Sequence, residues 1–188
     1  MNVFVILAYA VLTGFLSRAD TVKICMEAGS ATPFVVTQAE LKASRMFADI
    51  GVKIEWLHGR RDCQVPREQT ILVRMLQDSP ATLRRGVLAY ALPYEGVHVE
   101  VFYDRVVKMM EAQRRSGVLA HVLVHEVAHI LQGVDRHSGE GLMKAHWDEN
   151  DYMQMSSKAL PFTQVDVELI QRGLETRTTR LATAADRR

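Results

Sequence analysis

The stretch His125-Glu126-Val127-Ala128-His129-Ile130-Leu131-Gln132-Gly133-Val134-Asp135-Arg136-His137, running on through Ser138 to Met143, decides how the rest of the chain is read. From about Val118 to Gln132 the segment is apolar nearly all round, with Leu119, Val122, Leu123, Val127, Ile130 and Leu131 among its members, which predicts a buried helix. His125 and His129 lie four residues apart, a little over one helical turn, so both imidazoles point the same way. Two neutral imidazoles so placed can grip one zinc ion. Glu126 sits about 100° further round the helix. It cannot easily ligate the same ion, but it can reach a zinc-bound water, take its proton as the water attacks a carbonyl, and pass that proton to a leaving amine. The competing reading is a pair of core histidines hydrogen-bonded to their neighbours. It leaves three polar side chains to be satisfied inside an otherwise apolar helix, which is costly.

A catalytic zinc takes three protein ligands and keeps one open position. Beyond His129 the sequence resembles the metzincin metallopeptidases, whose pattern is H-E-x-x-H-x-x-G-x-x-H followed by a short loop to a methionine in a tight turn. The resemblance implies a zincin-like fold and a Zn²⁺ cofactor held by His125, His129 and His137. It further implies Glu126 as catalytic base, Gly133 as the turn that brings the chain back, and Met143 as the Met-turn residue beneath the metal. Ser138 and the short spacer to Met143 are similar to the matrixins. The chain departs from the pattern in placing Gly133 one residue late and His137 two residues late. Asp135 stands where the family places its third ligand, so His137 and Asp135 compete, with His137 the better zinc donor. A glutamate from a later helix, such as Glu149, is a further option. The residue two past Met143 is Ala145, so the tyrosine some metzincins carry there has no counterpart; His146 is the substitute at hand. His121, one turn before His125, reads as a packed or supporting residue, and His58 and His98 as isolated ones. Tyr90, Tyr94, Tyr103 and Tyr152 are candidate oxyanion helpers. Trp56 and Trp147 read as core.

Working outward, the chain reads as an α+β fold, a mixed sheet packed with helices around the buried active-site helix. Strands are expected over Thr21–Glu27, Val52–Trp56, Thr70–Leu76, Gly86–Ala91 and Val97–Phe102. The last of these is either the edge strand over the cleft, which in metzincins holds an extended peptide, or an interior strand. Thr37 and Glu40 form a capping-box pattern that opens a helix to about Ile50, with Gly51 as its stop. His58 to Pro66 is expected as a loop, and Pro93 to Gly96 as a turn. A helix from Asp104 to Arg115 should be broken by Ser116-Gly117. A last helix, capped by Thr163, should run to about Leu174. Residues 176–188 read as a flexible polar tail.

One zincin-like domain over residues 20–175 accommodates the composition, which is 48% hydrophobic and 24% charged over 188 residues. A formal net charge of +1 gives no electrostatic case for nucleic acid. Residues 1–19, with the apolar run Val3–Leu16 and a small-x-small end at Ser17-Arg18-Ala19, read as a signal peptide. A secreted or extracytoplasmic protein is therefore expected, or a membrane-anchored one if that segment is kept. Cys25 and Cys63 either close one disulfide there or remain unpaired. The function implied is zinc-dependent endopeptidase activity on a protein or peptide substrate. A non-catalytic zinc-binding or partner-binding module that keeps the fold is the alternative, and retention of Glu126 weighs against it.

Overall fold

The structure, a computed structural model, describes residues 21–64, 70–84, 86–95 and 97–185. The expected leader at 1–19, Gly96 of the expected turn and the end of the tail at 186–188 lie outside the described residues. Five strands, β1 (Thr21–Glu27), β2 (Lys53–His58), β3 (Thr70–Leu76), β4 (Ala89–Ala91) and β5 (His98–Phe102), form one sheet in the order β2-β1-β3-β5-β4. The first four in that order are parallel, and β4 runs antiparallel to β5. Alternation decides the buried face: Val22, Ile24 and Met26 of β1 stand beside Ile71, Val73 and Met75 of β3 and Val99 and Val101 of β5. Helices α1 (Pro33–Ala48) and α4 (Arg115–Gln132) cover this face, and α6 (Gln164–Ala185) packs against α4. Shorter helices α2 (Gly59–Asp62), α3 (Tyr103–Met109) and α5 (Glu149–Gln154) complete the set of described elements. On the other face of the sheet Cys25 is joined to Cys63 by a disulfide that closes a separation of 38 residues, worth roughly 4 kcal/mol of chain entropy.

Several sequence expectations are corrected. Of the two places left open for Val97–Phe102 the interior one holds: β5 lies between β3 and β4, and the three-residue β4 forms the edge on that side. Helix α1 begins at Pro33, whose fixed φ suits the first helical position, so Thr37 and Glu40 lie within it rather than capping it. Glu40 is buried, 3.4 Å from His58 Nε2. Ser116-Gly117 does not break a helix but belongs to α4. Gly117 is there because the Met155 carbonyl oxygen lies 2.5 Å from where a Cβ would stand. Most of the region read as a polar tail is the continuation of α6 to Ala185. Thr176, Thr178, Thr179 and Thr183 each donate to the carbonyl four residues back, absorbing their hydroxyls into the helix. Of the loop expected at His58–Pro66, His58 is the last residue of β2 and Gly59–Asp62 form the single turn of α2, while residues 65 and 66 lie outside the described residues. Among the described residues no helix is long and apolar enough to cross a membrane.

Candidate metal centre

Every residue of α4 from Gly117 to Gln132 is buried, so His125, Glu126 and His129 arrive at the end of the sheet inside a rigid apolar rod. Gly133 ends it in the left-handed conformation (φ 68°), with its N–H donating to the His129 carbonyl oxygen, and the chain turns back. The returning loop places His137 beside the helix. Its ring centroid is 5.4 Å from that of His125 and 4.8 Å from that of His129. One ligand nitrogen from each of the three rings lies within 4.8 Å of the others. Asp135 and Glu149 are not part of this cluster; both are exposed, and Glu149 lies in the first turn of α5.

Hydrogen bonds set the ring tautomers. A backbone carbonyl can only accept, so His125 Nδ1 donates to Leu142 O (3.0 Å) and His129 Nδ1 donates to Val134 O (3.3 Å). Both Nε2 atoms then carry lone pairs, and they face each other at 3.1 Å. Neither can donate to the other, so the pair calls for a cation between them. Two nitrogens bound to one zinc at about 2.0–2.1 Å stand roughly 3.3 Å apart at the tetrahedral angle. The residues therefore fit the ion. Burial, followed by the neighbouring His129, holds the His125 pKa down to about 3. Burial and His137 lower that of His129. Both rings are thus neutral ligands at ordinary pH.

Glu126 is also buried. Burial first, and the charge of Asp135 second, push its carboxyl up to about 8, while a hydrogen bond from the Ala91 N–H works the other way. That amide belongs to the free edge of the sheet. Leu92 N–H and Leu88 O bond across to His98 and Phe102, so the alternate groups of Ala89 and Ala91 face away from β5. A cleft of about 410 Å³ opens beside this edge, with Val87, Leu88, His125, Glu126 and His137 on its walls and Ala145, His146, Trp147 and Tyr152 opposite. Trp147 meets the His125 ring edge-on at 5.4 Å and donates from Nε1 to the Leu142 carbonyl. It is a cleft wall as well as a packing residue, which its sequence context did not signal. Trp56, by contrast, donates to Ser44 Oγ away from the site.

His121 is satisfied elsewhere: Nδ1 donates to Gly117 O (2.7 Å) and Nε2 accepts from Leu160 N–H (3.0 Å). Burial lowers its pKa to about 4. Met143 is fully buried, and its carbonyl receives the Ser138 N–H at 2.7 Å, closing the turn beside the cluster. Sequence reasoning missed the anchor of this loop. Asp166 near the start of α6 is fully buried and accepts from Ser138 Oγ (2.6 Å), Arg136 Nη1 (2.9 Å), and both Thr163 N–H (3.0 Å) and Thr163 Oγ1 (2.6 Å). The Thr163-x-x-Asp166 capping box was the visible signal.

The mixed sheet, the helices laid on one face and the buried histidine helix define a zincin-like fold. No family model matches the sequence, and no curated protein matches it either. Among solved structures, the chain is similar to the crystal structure of archaemetzincin from Methanopyrus kandleri. The TM-score is 0.61 at 14% identity, and the match covers 85% of this chain and 99% of that one.

Proposed function

We propose that this chain is a zinc-dependent metallopeptidase, with His125, His129 and His137 holding the ion and Glu126 as the catalytic base. The observation that carries the reading is the pair of Nε2 lone pairs 3.1 Å apart, next to a buried carboxylate, at the wall of an open cleft. Zinc, when bound, lowers the pKa of water and polarises a carbonyl oxygen. The chain's own residues do the rest. The outer edge of β4, through the groups of Ala89 and Ala91 other than the Ala91 N–H held by Glu126, aligns an extended peptide by strand addition. A cation held by the three imidazoles would oppose the burial that raises the Glu126 carboxyl, leaving it as the carboxylate that takes a proton from the attacking water and returns it to the departing amine. Trp147 and Leu88 exclude bulk water from the cleft. The Cys25–Cys63 disulfide supports an oxidising compartment, in keeping with residues 1–19 acting as a leader.

The test is hydrolysis of casein or a quenched peptide by wild type and Glu126→Gln, each with its zinc content measured. Zinc retained with activity lost in the variant is the expected result, a fall of at least a hundredfold. Zinc bound with no hydrolysis by either protein would replace the peptidase by a zinc-binding module. Zinc titration of His137→Ala and Asp135→Ala separates the two candidate third ligands.

A further inference from the structure

The cleft has an uneven charge. Among the described residues that line it, Glu126 alone is acidic and it is buried, whereas Arg84 and Lys144 are cationic. Lys144 is already neutralised, with Nζ 3.1 Å from Asp148 and 2.5 Å from Asp151. Arg84 has no carboxylate partner among the described residues, and its side chain is exposed at the cleft.

Arg84 is also held in place. It belongs to the lip of the cleft, where Ser79, Pro80, Leu83, Arg84 and Val87 gather around the guanidinium of Arg105 in α3. Arg105 Nη1 donates to the carbonyls of Arg84 (2.7 Å) and Val87 (2.8 Å), Nε donates to Ser79 Oγ (2.9 Å), and Nη2 reaches the carbonyls of Pro80 and Leu83 (3.4 Å each). The guanidinium in turn lies 5.1 Å from the centre of the Phe102 ring. Five oxygens converging on one planar cation give the lip the order a bound metal ion gives other loops. The backbone that carries Arg84 is therefore fixed against the cleft wall.

We propose that the cleft takes peptides bearing an acidic side chain, and that Arg84, presented by the Arg105-centred lip, is the residue that receives it. This rests on the peptidase reading, so the experiment separates the two. Fluorescent ten-residue peptides in which a single Glu or Gln is walked along an otherwise neutral sequence are titrated, by anisotropy, into zinc-loaded Glu126→Gln protein, which needs no turnover. Cleavage of the same peptides by wild type is measured in parallel. One position should bind the Glu peptide about fivefold tighter than its Gln counterpart, the scale of a partly solvated ion pair, and 0.5 M salt should shrink the ratio. Adding Arg84→Gln should remove the preference, Arg84→Glu should reverse it in favour of the Gln peptide, and Arg105→Lys, which keeps Arg84 but has no planar fork to hold the lip, should reduce it. The proposal is overturned if no position discriminates or if the preference survives Arg84→Gln. Discrimination in binding without cleavage by wild type would sink the peptidase reading and leave this one standing.

Discussion

Replacing Asp166 with asparagine tests whether the loop that carries His137 is held by one buried charge. The carboxylate receives four hydrogen bonds, two on each oxygen. Asparagine keeps one acceptor oxygen and turns an NH₂ group toward donors, so two bonds are lost and two donors are left facing a donor. Charge-assisted bonds contribute about 1.5–3 kcal/mol each. Because Arg136 is partly solvated, the lower end applies, and the loss should be about 3 kcal/mol. In a domain of this size that lowers Tm by roughly 6–12 °C. Burial pushes the Asp166 carboxyl up, but the bonds from Ser138, Thr163 and Arg136 outweigh it and hold the pKa below the ordinary carboxylate range. A depressed carboxylate stabilises above its unfolded pKa and loses that contribution as pH falls through the folded value. Wild type should therefore lose stability below about pH 4 through this group, and the variant should lack that part of the slope. Urea unfolding followed from pH 7 down to about pH 2, with zinc competition by a chelator at pH 7, reads both effects. Zinc affinity should fall about tenfold, as for loss of a group that orients a ligand. A variant within 1 kcal/mol of wild type, with unchanged chelator competition, would refute the assignment of Asp166 as the anchor.

Two further outcomes follow from the packing of α4. Gly173→Ala in α6 would drive a methyl into the Leu131 carbonyl, so it should destabilise by more than about 3 kcal/mol or abolish soluble expression, whereas Gly139→Ala, with open space around it, should be silent in thermal unfolding. His121 is a base whose folded pKa is lowered from 6.5 to about 4, so its contribution is complete above pH 6.5 and is lost as pH falls toward 4, about 3 kcal/mol in all; zinc-free His121→Phe should show a correspondingly shallower decline in urea stability over that window, and an unchanged slope would show the ring to be protonated in the fold.

The sequence was most legible where one periodicity ruled. The apolar surround of His125-Glu126-x-x-His129 identified a buried helix with both imidazoles on one side of it, and Thr21–Glu27 and Thr70–Leu76 were found to the residue because alternation and β-branched content agree there. It misled where a residue has two uses. Gly117 looks like a breaker but serves a close approach to Met155, and Thr37 with Glu40 imitates a cap inside a helix that Pro33 has already started. The interior place of β5 depends on β4 folding back antiparallel beside it, a pairing that the local pattern at Val97–Phe102 does not encode. The lip held by Arg105 was invisible because its oxygens are mostly backbone carbonyls, which have no signature in side-chain type.

The three-imidazole cluster and the loop after Gly133 are one structure. Val134 and Leu142, near the two ends of that loop, supply the carbonyls that fix the proton on His129 Nδ1 and His125 Nδ1, and the same loop carries His137. Arg136 and Ser138 flank His137 on either side and both bond to Asp166. Of the two residues by which His137 comes later than the metzincin spacing, one precedes Gly133 and one follows it, and both helix histidines still keep a carbonyl partner. Any change that frees the loop from α6 must disturb the third imidazole and the tautomers of the other two together. Zinc affinity should consequently respond to a substitution at Asp166, a residue that carries no ligand atom of its own in the cluster.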